Sequence, residues 1–254
     1  CALIANGTIK CWGRNAQGQL GNGQTTDSLT PVEVIGIRDA VSLAAMYQHT
    51  CAIVSGGAVR CWGDNASGQL GNGETNNSAL PVDVVGISGA TRLAAGGGDL
   101  GGSYTCAVVA GGAVKCWGWN GSGQLGNGQN TDSSTPVEVI GLSGVSSLEA
   151  GIEHTCAVTG GRVMCWGEGN SGRLGTGSTA DSLAPVEVAG ISAAIEVSAG
   201  GFHSCALLTS GTIECWGWNY SGQLGNGAVG YVTSAVILQS TYQRRRRRRT
   251  QWQE

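Results

Sequence analysis

The stretch CWGRNAQGQLGNG at residues 11–23 occurs five times in near-copy. It returns as CWGDNASGQLGNG at 61, CWGWNGSGQLGNG at 116, CWGEGNSGRLGTG at 165 and CWGWNYSGQLGNG at 215, at steps of 50, 55, 49 and 50 residues. A period near 50 marks a chain of equivalent supersecondary units. Each is too small to bury its apolar face alone and must stack on its neighbours, as propeller blades do. With 45 glycines and only 12% charged residues, the apolar runs are short and leave little material for amphipathic helices, so the units read as all-β. No run approaches a membrane span and no signal peptide is visible. The chain opens on Cys1 inside a repeat, so it reads as a fragment or a trimmed product.

One unit holds four strand candidates. In the second, a small-residue strand lies around Leu43 to Ala45, TCAIV and AVRCWG form a hairpin, and PVDV at 81–84 follows a polar loop. Pro31, Pro81, Pro136 and Pro185 recur at the head of this last segment, where a strand's first residue tolerates a missing amide proton; the fifth copy has Ala235 there. The units then run 1–34, 35–84, 85–139, 140–188 and 189–238, followed by a tail at 239–254.

The cysteines give the sharpest local inference. In CAIVSGGAVRC a three-residue loop, Ser55-Gly56-Gly57, sets Val54 opposite Ala58 and therefore Cys51 opposite Cys61. Gly7, Gly57, Gly112 and Gly211 supply the left-handed third loop residue that a type I turn with a bulge requires. The fourth copy, CAVTGGRVMC, is one residue shorter, yet a two-residue Gly160-Gly161 turn restores the opposition of Cys156 and Cys165. Turn length changes while the opposition survives. The spacing predicts five hairpin disulfides: Cys1–Cys11, Cys51–Cys61, Cys106–Cys116, Cys156–Cys165 and Cys205–Cys215. Such bridges imply an oxidising compartment: extracellular, periplasmic or cell-surface. The alternative, buried reduced thiols acting as small hydrophobes, removes that implication. On the same face Cys51 and Cys61 alternate with Ile53 and Val59, as a blade face packed on its neighbour should.

The pattern HTCAIVSGGAVRCWGDNASGQLGNG, followed by a polar loop and PVDV, resembles the repeat of the regulator of chromosome condensation family over residues 1–238. The resemblance implies a β-propeller of four-stranded blades, usually seven. This chain supplies about five, and its first unit lacks the small-residue strand before Cys1. An incomplete arc of a larger ring is therefore favoured over a tight five-bladed one.

The glycine motif is scaffolding. A phosphate loop works once, where a strand feeds a helix, and carries a following lysine; here five copies each lead to a polar loop and another strand. Asn15, Asn65, Asn120 and Asn219 are expected to bond nearby backbone, and Trp12, Trp62, Trp117, Trp166 and Trp216 to fill interblade space. His49, His154 and His203 precede hairpin cysteines, but Tyr104 in the matching place argues for a hydrogen-bonding aromatic ring and not a metal ligand. Carboxylates such as Glu33, Asp83, Glu138 and Glu187 recur once per unit as solvent-facing strand residues, so no acid–base pair is nominated. No catalytic residue, metal ligand or cofactor is assigned.

Function on a repeat scaffold belongs where the copies differ. After each CWG the residue runs Arg14, Asp64, Trp119, Glu168 and Trp218; two places on, Ala16, Ala66, Gly121, Asn170 and Tyr220. Trp119, Trp218 and Tyr220 are candidate interface anchors, the alternative being that they cover an adjacent blade's edge. The longer approach GGGDLGGSYTC in the third unit offers Asp99 and Leu100 as a contact loop, or merely as glycine-rich slack. Residues 1–243 hold 8 Lys and Arg against 16 Asp and Glu, which disfavours nucleic acid except through the run Arg244 to Arg249, itself read as a disordered tail or a reading-frame artefact. The sequence thus points to a non-enzymatic, exported binding module with a protein partner. A guanine-nucleotide exchange factor for a small GTPase and a secreted enzyme-inhibitor-like propeller, such as a β-lactamase inhibitor, are the alternatives that the resemblance adds.

Overall fold

Each repeat folds into one antiparallel sheet. The structure, a computed structural model, describes residues 1–98 and 101–238. Blade 2 shows the unit: Ala40–Met46, His49–Val54, Val59–Gly63 and Ser78–Asp83 pair in chain order, innermost strand first. Blades 3, 4 and 5 repeat that order, with innermost strands Arg92–Gly98, Val145–Ala150 and Ala194–Ala199. Blade 1 departs from the four-stranded expectation. It has three strands among the described residues, Ala2–Leu3, Ile9–Gly13 and Ser28–Glu33.

The hairpin register is the one the loop lengths dictate. Cys51 pairs with Cys61, Cys106 with Cys116, Cys156 with Cys165 and Cys205 with Cys215. Val54 N–H bonds Ala58 O, and alternation outward from that pair puts Cys51 and Cys61 at a non-hydrogen-bonded position, where facing side chains approach most closely. All five predicted disulfides are present, with Cα separations of 4.0 to 4.1 Å. Gly57 has φ +77°, and a Cβ there would meet the Gly89 Cα at 2.6 Å, so both backbone and space exclude a side chain in that turn.

The outer strand begins earlier than the prolines suggested. Pro31, Pro81, Pro136 and Pro185 sit inside Ser28–Glu33, Ser78–Asp83, Ser133–Glu138 and Ser182–Glu187. In blade 2 the ladder skips from Gly63–Ser78 to Cys61–Val82, so the missing amide of Pro81 falls in an irregularity of an edge strand.

Blades are joined face to face. Cys51, Ile53, Val59 and Cys61 of blade 2 cluster with Ala107 and Trp117 of blade 3, all fully buried or nearly so. In blades 2 to 5 the tryptophan of the CWG motif enters the preceding junction and donates its Nε1–H to a main-chain carbonyl there: Trp62 to Gln19 (3.0 Å), Trp117 to Gln69 (2.9 Å), Trp166 to Gln124 (2.8 Å) and Trp216 to Arg173 (2.9 Å). These four side chains have no exposed surface. Trp12, expected to do the same, is 47% exposed because no blade among the described residues packs against it, and Leu29 on the same blade is bare. Among the described residues the outward faces of blades 1 and 5 lack the packing that the four internal junctions share.

The polar loop is tied down by one asparagine. Asn65 accepts from Leu70 N–H, donates to the carbonyls of Glu74 and Asn76, and its own N–H bonds Asn77 Oδ1. Asn15 and Asn120 are bonded in the same pattern, and Asn219 likewise accepts from Leu224 N–H and donates to Ala228 O. These bonds close the glycine loops on themselves, which is the framework role read from the sequence.

Candidate interaction face

A row of side chains crosses each blade junction near the innermost strands. His49 Nε2 lies 2.9 Å from Thr105 Oγ1 and His154 Nε2 lies 2.8 Å from Ser204 Oγ, each linking one blade to the next. Tyr104 occupies the same place in blade 3, donating to His154 O at 2.6 Å and accepting from Thr155 Oγ1 at 3.1 Å. The exchange of histidine for tyrosine preserves a ring with a hydrogen-bonding edge. Among the described residues no group of His, Cys, Asp and Glu is arranged to hold a metal ion.

Burial sets the charge state of this row. It pushes His49 down to about 4 and His154 down to about 3, the latter helped by the Arg173 guanidinium. Both imidazoles are thus neutral when folded, whereas in the unfolded chain they protonate near pH 6.5. Their contribution to stability is complete above that value and is lost as pH falls, by up to roughly 2 to 3 kcal/mol each near pH 4. The raised carboxyl of Glu153, described below, titrates with the opposite sign, so the expected result in a Glu153→Gln background is a urea midpoint that declines below pH 6.5, and an acid-insensitive midpoint of that variant between pH 4.5 and 7 would contradict this reading.

Immediately before each of these rings, and before His203 at the same place in blade 5, lies a residue that differs from copy to copy: Gln48, Ser103, Glu153 and Phe202. Its carbonyl accepts the N–H of the residue that follows CWG, in the pairs Asp64–Gln48, Trp119–Ser103, Glu168–Glu153 and Trp218–Phe202 at 2.8 to 3.0 Å. Two variable columns of the repeat are thereby zipped together on one face of the propeller.

Blades 4 and 5 have built something on that face which the others have not. In blade 4 the buried Arg173, standing where other copies have glutamine, is ion-paired with Glu168. Glu168 also accepts from Asn170 Nδ2 at 2.6 Å. Burial and the neighbouring Glu168 carboxylate push the Glu153 carboxyl up to about 7. The Arg173 guanidinium lies 4.9 Å from the centroid of Phe202, a cation–π contact across the blade 4–5 junction. Phe202 in turn is 6.3 Å from Trp218, and Trp218 is 4.7 Å from Tyr220, centroid to centroid. The three aromatic side chains are 40%, 37% and 56% exposed, large fractions for groups of this size.

Of the residues nominated from sequence, Trp218 and Tyr220 are brought together. Trp119 lies apart on blade 3, half-buried over Gly102 and Gly121. Asp99, Leu100 and the run Arg244 to Arg249 lie outside the described residues. Phe202, Glu153 and Arg173 were missed. The signal was available: the column before the junction ring varies as freely as the column after CWG, and Arg173 is the single charge in the GQLGNG motif.

The family model for the Regulator of chromosome condensation (RCC1) repeat matches residues 6–53, 56–108, 111–158 and 160–207. The Ultraviolet-B receptor UVR8 of Arabidopsis thaliana is 33% identical over 162 residues, which is 62% of this chain and 36% of that protein. Among solved structures, human WBSCR16 is 23% identical with a TM-score of 0.82, over 94% of this chain and 64% of that one. Prp20p of Saccharomyces cerevisiae, described with its binding to Gsp1p and histones, is 21% identical with a TM-score of 0.81, over 95% and 61%. The chain thus spans about a third of the length of UVR8 and under two thirds of these solved chains, which establish its propeller fold.

Proposed function

The chain belongs to the Regulator of chromosome condensation (RCC1) repeat family, and from that premise we propose that it is a non-enzymatic, exported scaffold that binds a protein partner through blades 4 and 5. One observation carries this reading. Phe202, Trp218 and Tyr220 form a contiguous exposed aromatic patch built from three columns of the repeat that the framework leaves free. The five disulfides support an oxidising compartment. No helix among the described residues is long and apolar enough to cross a membrane. Prp20p, with its binding to Gsp1p and histones, gives a precedent for protein binding on this fold, and an enzyme-inhibitor role is one form the same reading takes. The exchange-factor alternative has the shared fold behind it but no residue of this chain.

Replacing Phe202, Trp218 and Tyr220 together by alanine is expected to abolish capture of the native partner from its own host while leaving the thermal midpoint within a few degrees. Undiminished capture would remove this face from the binding site.

A further inference from the structure

We infer that the aromatic patch of blades 4 and 5 receives a cationic side chain, lysine or arginine, from a basic segment of the partner. The inference rests on the proposed binding role and gives it a chemistry. Its first support is that the patch already holds one guanidinium, since Arg173 sits 4.9 Å over Phe202. That cation is 4% exposed and its charge is met by Glu168, so it fills the buried side of the cluster and leaves the outer side unsatisfied. Trp218 and Tyr220 continue outward from Phe202 with their rings tilted at 51° to one another, presenting π-faces that no cation of this chain covers among the described residues.

The second support is the sign of the surroundings. Glu168 is ion-paired with Arg173 beside Phe202, and Asp181 accepts the Gly169 N–H on the loop that follows Glu168. The chain up to residue 243 carries 16 acidic against 8 basic residues, so an approaching basic segment is drawn towards the propeller and a polyanion repelled. An apolar partner would be served equally by the aromatic rings alone. It gives no account of the Arg173–Phe202 contact already in place or of the acidic excess of residues 1–243.

The test titrates the full chain with an acetylated, amidated glycine peptide carrying two arginines, against peptides of the same length carrying two glutamates or two leucines, following tryptophan fluorescence. The arginine peptide is expected to bind saturably and to weaken as salt rises. Trp218→Ala with Tyr220→Ala should weaken it by about 3- to 30-fold, the range of a desolvating cation–π contact. Trp218→Phe with Tyr220→Phe should restore most of that loss, which a merely structural effect of alanine would not predict. Absence of saturable arginine-peptide binding, or equal binding of the glutamate peptide, overturns the inference. If the leucine peptide binds as tightly and is lost with the alanine variant, the cationic chemistry fails while the aromatic contact face stands; if no substitution affects any peptide, both fail.

Discussion

Reducing the five hairpin disulfides is expected to unfold this propeller under conditions where the oxidised chain is stable. Each bridge closes a loop with a sequence separation of 9 or 10 residues. In the chain-entropy account such a loop contributes roughly 2 to 3 kcal/mol, so the five together reach about 10 to 15 kcal/mol, comparable to the entire stability of a typical domain. The repeat architecture sharpens the effect. Each blade contacts only its neighbours, so a hairpin that loosens also withdraws the face on which the next tryptophan packs. Circular dichroism melts with and without a strong reductant, followed by alkylation to prove reduction, should show loss of the cooperative transition. Matching melts would mean that the sulfurs serve only as small buried groups.

The second large effect comes from one residue type in two settings. Trp117→Ala should destabilise by about 3 to 5 kcal/mol, because Trp117 is fully buried at the junction of blades 2 and 3. The Gln69 carbonyl keeps a donor in Thr105 Oγ1 at 3.1 Å, so the loss is chiefly that of the cavity and not of an orphaned acceptor. Trp12→Ala removes the equivalent side chain from the same motif, yet with 47% of Trp12 exposed the cost should stay below about 1 kcal/mol. Thermal midpoints of the two variants should therefore differ by about 5 °C or more. Equal losses would show that Trp12 is packed as its counterparts are.

The framework of this fold is written in short-range arithmetic. Loop length and the two-residue period fix which cysteines face each other, and both turn types, Ser55-Gly56-Gly57 and Gly160-Gly161, lead to the same opposition. The buried role of Trp62, Trp117, Trp166 and Trp216 was legible for the same reason, since identical residues at identical places must meet identical neighbours. Trp12 broke that rule because its environment comes from a blade and not from its motif. The outer strands began three residues before their prolines because an edge strand tolerates what a central strand would not. The interaction face was half legible. Trp218 and Tyr220 stood out in variable columns, but Phe202 comes from a segment of blade 5 that lies 16 residues upstream of Trp218, and Arg173, 45 residues upstream of Trp218, meets Phe202 only across the blade 4–5 junction. Local periodicity carries no information about that distance; the joining of two columns by the Trp218–Phe202 main-chain bond does.

The account stands on blades that are equivalent sheets, each locked across its own hairpin. Proteolysis without reductant, followed by mass spectrometry of the linked peptides, tests this directly. Five linkages are predicted, Cys1–Cys11, Cys51–Cys61, Cys106–Cys116, Cys156–Cys165 and Cys205–Cys215, with no free thiol. Cysteines of different blades linked to each other, or ten alkylatable thiols, would contradict it.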